Sequence, residues 1–237
     1  MTLPPLMIGS AALLAVALIG CASARSPQGF AQAPVPVERE PRHQPMFTNP
    51  YVRVLYVHIP PGDATLFHTH IYDSVGLRLA DAVLRTETRG GTVQEDSVQR
   101  GAVSFSRLSS PVTHRVTNIG PTPFLNVVVE MVSASGASVR PPVAPPGNAA
   151  PVVLDNERVR VRRFTIPPGQ SFAVREDMPR GVLVALSGGA MERVRDGEAP
   201  RTTELRAGDA EWHGDGGRYA LRNVGAAPFE AVYVEVK

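Results

Sequence analysis

Thiols and lysines are almost missing from this 237-residue chain: it has one cysteine, Cys21, and one lysine, Lys237, among 24 basic residues. A single thiol excludes an internal disulfide framework. The formal net charge is only +2, and the arginines are spread out, with no block that could neutralise a row of phosphates. That argues against a nucleic-acid partner. Beyond the first two dozen residues no stretch carries a 3.6-residue apolar period of helical length, so long amphipathic helices are not expected. No Asp/Glu pair and no Ser/His/Asp set stands at a spacing that would support metal-free acid–base or nucleophilic catalysis.

The longest apolar run, residues 6–20, is too short for a confident membrane span but has the length of a signal-peptide core, although no basic residue precedes it. It ends in Leu18-Ile19-Gly20-Cys21, which resembles a bacterial lipobox. The resemblance implies lipidation of Cys21, cleavage before it, and export to the cell envelope or periplasm with a lipid anchor in the membrane. Cleavage after Ala22-Ser23-Ala24 is the competing expectation, and it would discard the cysteine. Residues 1–24 are therefore read as signal peptide and lipobox. Residues 25–45, rich in Pro, Ala and Gln without apolar period, read as a flexible tether. His43 lies in that tether and is expected to be solvated.

The rest of the chain says nearly the same thing twice. Residues 49–62 (NPYVRVLYVHIPPG) return as residues 156–169 (NERVRVRRFTIPPG), and GAVSF from Gly101 returns as GDAEW from Gly208. After a two-residue deletion NIGPTPFLNVVVE, from Asn118, matches NVGAAPFEAVYVE, from Asn223. Shared turn residues at fixed offset imply one structural unit used twice. Short runs rich in Val, Ile, Leu and Phe, punctuated by Pro and Gly, predict antiparallel strands closing into a sandwich or barrel. The expected units are residues 46–136 and 152–237, joined by a Pro-rich, semi-rigid linker at 137–151.

The histidines are not repeated. His68 and His70 are two apart, so on a strand both imidazoles face one way. His114 precedes Asn118 by four positions. In the second copy the aligned positions hold Arg175, Asp177 and Tyr219. Since the same scaffold is written without those histidines, packing alone does not demand them. Neutral imidazoles suit Fe, Mn, Zn, Ni or Cu.

Gly62 followed by His68-x-His70, then Gly101, Pro111, His114 and Asn118, resembles the two motifs of the cupin superfamily. The resemblance covers residues 49–130 and, in degenerate form, 156–235. It implies two tandem jelly-roll β-barrels, an all-β bicupin. It further implies a divalent transition metal held in the first barrel by His68, His70 and His114, with none in the second. The superfamily's glutamate ligand would fall at Ser74 or Val75, neither of which can replace it. Asp73, one position early, is the remaining carboxylate candidate, and without it the site is three-histidine with open positions. Tyr72 is close enough in sequence to touch a ligand.

The expected function is thus an exported metal-binding protein that also takes a small molecule in its first barrel. A metal-dependent enzyme of dioxygenase, isomerase or hydrolase type is the alternative, and a metal-free structural bicupin a second one. His58 is expected to be exposed and His213 to be structural or solvated. The alternating Arg158-Val159-Arg160-Val161-Arg162-Arg163 predicts one buried and one solvated strand face, with attraction of anionic groups as its functional version.

Overall fold

The structure is a computed structural model that describes residues 33–133, 150–174, 179–195, 197–214 and 219–237. The signal segment, Cys21 and residues 134–149 of the linker region lie outside the described residues. Residues Ala33–Lys237 form one compact unit.

The first copy contributes β1 (Val35–Pro36), β2 (His43–Thr48), β3 (Val52–Ile59), β4 (His68–His70), β5 (Ser74–Arg78), β6 (Ala82–Thr88), β7 (Val93–Val98), β8 (Val103–Ser106), β9 (Val112–Asn118) and β10 (Phe124–Met131). They form two facing five-stranded sheets, ordered β1-β4-β9-β6-β7 and β2-β3-β10-β5-β8. The second copy contributes β11 (Val152–Asp155), β12 (Val159–Ile166), β13 (Ser171–Val174), β14 (Gly181–Ala185), β15 (Gly189–Val194), β16 (Arg201–Leu205), β17 (Ala210–His213), β18 (Tyr219–Asn223) and β19 (Phe229–Val236). Its sheets run β11-β12-β19-β14-β17 and β13-β18-β15-β16. The all-β, two-barrel architecture expected from the repeat is what the chain adopts.

The duplicated residues do the same work in both barrels. Asn118 donates through its side-chain amide to the carbonyls of Ile59 and Thr122, and accepts from the Gly120 amide. Asn223 repeats this with Ile166, Ala227 and Gly225. The amides of Gly62 and Gly169 donate to the carbonyls of Asn118 and Asn223. Both glycines sit at φ 75°, a region that a side chain makes costly. Each asparagine thus clamps two loops whose buried polar groups would otherwise be unpaired.

The two barrels pack face to face rather than hanging on a linker. Strand alternation sends Leu55, Val57 and Ile59 of β3 into the first barrel, with Leu84, Phe124 and Val128. The opposite face, Val52 and Val54, joins Val75, Leu77, Val127 and Val129 in a core shared with Val159, Val161, Val182, Val184, Val232 and Val234 of the second barrel. Burial on both faces explains why β10 and β19 read as nearly continuous apolar runs. Each fully buried aliphatic side chain contributes about 1.5–3 kcal/mol, so this shared layer is a principal source of stability.

Two expectations are overturned here. The segment taken for a tether is part of the first barrel from residue 33 onward. β1 pairs in parallel with β4 through Val35↔His68, β2 pairs with β3, and Val37 is fully buried in the barrel core. Both new strands are sheet edges, where a proline without N–H is tolerated, and β2 carries a bulge between Pro45 and Phe47. The arginine-valine run also differs from a simple solvated stripe. Val159 and Val161 enter the shared core, but Arg162 donates to buried Glu235, with Arg160 close to the same carboxylate. Arg158 is itself buried. At the linker's end Ala150 is buried in the second barrel's core.

Candidate metal centre

Four imidazoles meet inside the first barrel. Antiparallel pairing of β4 and β9 sets His68 directly opposite His114, and their Nε2 atoms lie 3.0 Å apart. His70, two residues along β4, presents its ring on the same side, with centroids 5.0 Å from His68 and 5.1 Å from His114. The fourth comes from the opposite sheet. His43 opens β2, and its ring centroid is 4.5 Å from that of His68. His43, His68 and His70 each offer a nitrogen within 4.8 Å of the others.

The surroundings settle which nitrogen each ring offers. The Nδ1 of His68 donates to the Leu66 carbonyl at 2.9 Å. The Nδ1 of His43 lies 2.6 Å from Glu40 Oε2, and that of His70 lies 3.1 Å from Glu130 Oε1. Carbonyls and carboxylates only accept, so in all three rings Nδ1 is the donor to its partner and Nε2 is the nitrogen left for a metal. Carboxylate–histidine pairs of this kind orient metal-binding imidazoles and raise their basicity.

The electrostatics agree. Burial, reinforced by the neighbouring His43 and His114, pushes the His68 pKa down to about 2. Burial, with His70 and His43 nearby, pushes His114 down to about 4. Both rings are therefore neutral near pH 7 and able to donate electron pairs. Burial works against ionisation of Glu40, yet the His43 hydrogen bond and the Leu66 and Arg42 amides hold its pKa below the ordinary carboxylate value. Glu130 is likewise kept low despite burial by His70 and Arg53.

Glu40 is a charge that is 2% exposed and is met in its pocket by His43 and backbone amides. A cation bound at the Nε2 of His43 would supply the missing positive charge. Four imidazole nitrogens backed by two buried carboxylates fit a divalent transition ion, and His43, His68, His70 and His114 would hold it.

Of the predicted residues, His68, His70 and His114 come together and Asp73 does not join them. Its Oδ1 accepts from the Leu108 amide and its Oδ2 from Arg158 Nε at 3.2 Å. The side chain turns toward the second barrel because Arg158 waits there, itself bound to the carbonyls of Met131 and Ser133. Asp73 is a strut between barrels. Tyr72 is also outside the cavity wall. Its ring lies under the Arg53 guanidinium at 5.5 Å, and Arg53 holds Glu130 at 2.5 Å. It reaches the site only through that chain of contacts.

Where the motif calls for glutamate, Ser74 faces the cavity and Val75 is buried in the shared core. His43, arriving from another sheet, takes the fourth position. Sequence reasoning missed both His43 and Glu40. The available signal was a glutamate three residues before a histidine, hidden in a proline-rich stretch. His58 is half-buried on the opposite strand face from Val57 and outside the cluster. His213 is buried near the rings of Tyr219 and Tyr233.

In the second barrel Arg175 and Asp177 lie outside the described residues. There Tyr219 pairs with Val174, so the backbone counterpart of His68 falls one residue earlier than the fixed offset indicates. Beside the cluster is a cavity of about 250 Å³ whose wall includes His43, His70 and His114, together with Ile59, Ser74, Arg78, Leu84, Phe124, Asn126 and Val128. Among the described residues no carboxylate lines it.

No protein-family model matches the sequence, and no curated protein matches it. Solved structures do. AerE from Microcystis aeruginosa superposes with a TM-score of 0.56 at 14% identity, covering 84% of this chain and 98% of that one. The salicylate 1,2-dioxygenase of Pseudoaminobacter salicylatoxidans gives 0.55 at 13%, covering 84% and 76%. A cupin 2 conserved barrel domain protein from Leptotrichia buccalis gives 0.50 at 10%, covering 82% and 88%. At such identities the likeness shows the fold, and the fold is that of the cupin barrels.

Proposed function

We propose that the first barrel is a metal-dependent small-molecule-binding centre, with a divalent transition ion held by His43, His68, His70 and His114. The observation that carries this reading is the convergence of four imidazoles from three strands, three of them with Nδ1 already committed, onto one buried point beside a cavity. Bound there, the ion would supply Lewis acidity and an anchoring point for a ligand. The protein supplies orientation, through Glu40, Glu130 and the Leu66 carbonyl, and a cavity beside the ion.

Catalysis on the bound molecule is the alternative. A dioxygenase is among the solved structures that share the fold, and the cavity gives a substrate access to three of the four imidazoles. The lack of a carboxylate in the cavity wall favours binding over metal-assisted hydrolysis, which draws on a nearby general base. We further propose that the chain is exported and held at the cell envelope by lipid on Cys21. Replacement of Cys21 by Ser is expected to release the protein from the membrane fraction, and retention there would refute the anchor.

Elemental analysis of the purified protein tests the metal reading. The expected result is a transition metal in the wild-type chain that is lost from the His68→Ala/His114→Ala variant. Equal content in both would end the reading of these histidines as the metal site.

A further inference from the structure

Among the described residues, the cavity beside the histidines has a guanidinium in its wall and no carboxylate. Ser74, Gly76 and Arg78 alternate along β5 and all face into it. The Arg78 guanidinium is held in place on several sides. Its Nη1 donates to Asn126 Oδ1 at 2.6 Å, its Nη2 lies 3.4 Å from Ser104 Oγ, and the Phe124 ring lies 5.4 Å from its central carbon.

Gly76 makes the space: a Cβ there would come within 2.5 Å of Nη1 and 2.9 Å of Ser104 Oγ. Other arginines set into the barrels have carboxylates, Arg53 with Glu130, Arg158 with Asp73 and Arg162 with Glu235. Among the described residues no carboxylate pairs with Arg78. A half-buried guanidinium stays charged and gains from a counter-ion, so the arrangement suits a ligand that brings the negative charge.

We propose that Arg78 is the recognition residue for a small molecule bearing a carboxylate, bound in this cavity with the histidine centre. The inference rests on the proposed small-molecule role of that centre and names its ligand class. A planar monoanion matches the two-pronged donor edge of guanidinium. A phosphate, with up to two charges, would meet one arginine, a neutral amide and a hydroxyl, which is poor compensation. The apolar part of the same wall (Ile59, Leu84, Val116 and Val128) suits a hydrocarbon or aromatic body on that carboxylate. Burial lowers the Arg78 pKa, a cost that an incoming anion relieves.

Benzoate and benzamide, the same ring with and without charge, test this by calorimetric titration into the full chain, with metal content measured on the same samples. Benzoate is expected to bind, and benzamide to bind at least about tenfold more weakly. Arg78→Gln should reduce benzoate to the benzamide level while metal content holds. Gly76→Ala, which keeps the charge but displaces it, should weaken benzoate as well. Absence of benzoate binding, equal binding of the two probes, or full benzoate affinity in a folded Arg78→Gln protein would overturn the proposal. The probe comparison in the wild-type chain decides even if the variants fail to fold. A wild-type chain that carries no metal yet prefers benzoate through Arg78 would sink the metal reading and leave this one standing.

Discussion

Glu40 Oε2 accepts a hydrogen bond from His43 Nδ1 at 2.6 Å, and through this contact the first strands of the barrel become part of the histidine cluster. The same carboxylate accepts the amides of Arg42 and Leu66, so it also ties those strands to the approach to β4. His43→Ala should weaken metal binding, and Glu40→Gln should do so by about 10–100-fold, the range for partners that orient a ligand. Competition against a chelator of known affinity measures both. Unchanged affinity in His43→Ala would remove the fourth ligand from the account.

Metal removal should loosen one region first. β1 and β2 are edge strands; β1 pairs directly with β4, and β2 brings His43 to the three histidines on β4 and β9. Stripping the ion with chelator is expected to raise amide hydrogen exchange in residues 33–48 well before the shared inter-barrel core responds. The melting temperature should rise with added metal. Uniform protection with and without metal would show that the segment folds independently of the site.

Asp73 separates a structural role from a ligand role cleanly. Its partner Arg158 is buried, and breaking a buried ion pair costs about 3–5 kcal/mol. Asp73→Ala should therefore lower the melting temperature markedly while leaving metal content intact. Loss of metal from a still-folded variant would return Asp73 to the ligand set.

The metal-free protein should lose stability on acidification. The folded state holds His114 near 4 and His68 near 2, against 6.5 for a free imidazole. Below 6.5 the unfolded chain takes up protons that these rings refuse, so the stabilisation is full above pH 6.5 and falls as the pH drops toward 4. The slope is about 1.4 kcal/mol per pH unit for each histidine. Glu40 and Glu130, with lowered pKa values, add a further loss at still lower pH. Urea titrations from pH 7.5 to 4.5 measure this, and His68→Ala/His114→Ala should flatten the curve.

What could be read from the chain beforehand was whatever depends on neighbours in sequence. The paired prolines, Gly62 and Gly169, the twin asparagines and the alternating strands depend on local turn geometry and pleat, and they gave both barrels. His68 and His70 share a face because they are two apart, which also needs no tertiary knowledge. The rest is decided across sheets. Prolines in residues 33–45 signal a tether unless the strand is known to lie at an edge. Asp73 was plausible until Arg158 arrived from the other barrel. Glu130 lies in a strand that reads as ordinary, and only the register of β10 brings it to His70. Arg78 was invisible as a site residue because its significance is a missing partner.

X-ray absorption at the edge of the bound metal tests the central claim most directly. The account predicts a first shell containing about four imidazole nitrogens, with one fewer in His43→Ala and two fewer in His68→Ala/His114→Ala if any ion remains. A first shell without imidazole scattering, or one unchanged by those substitutions, would contradict it.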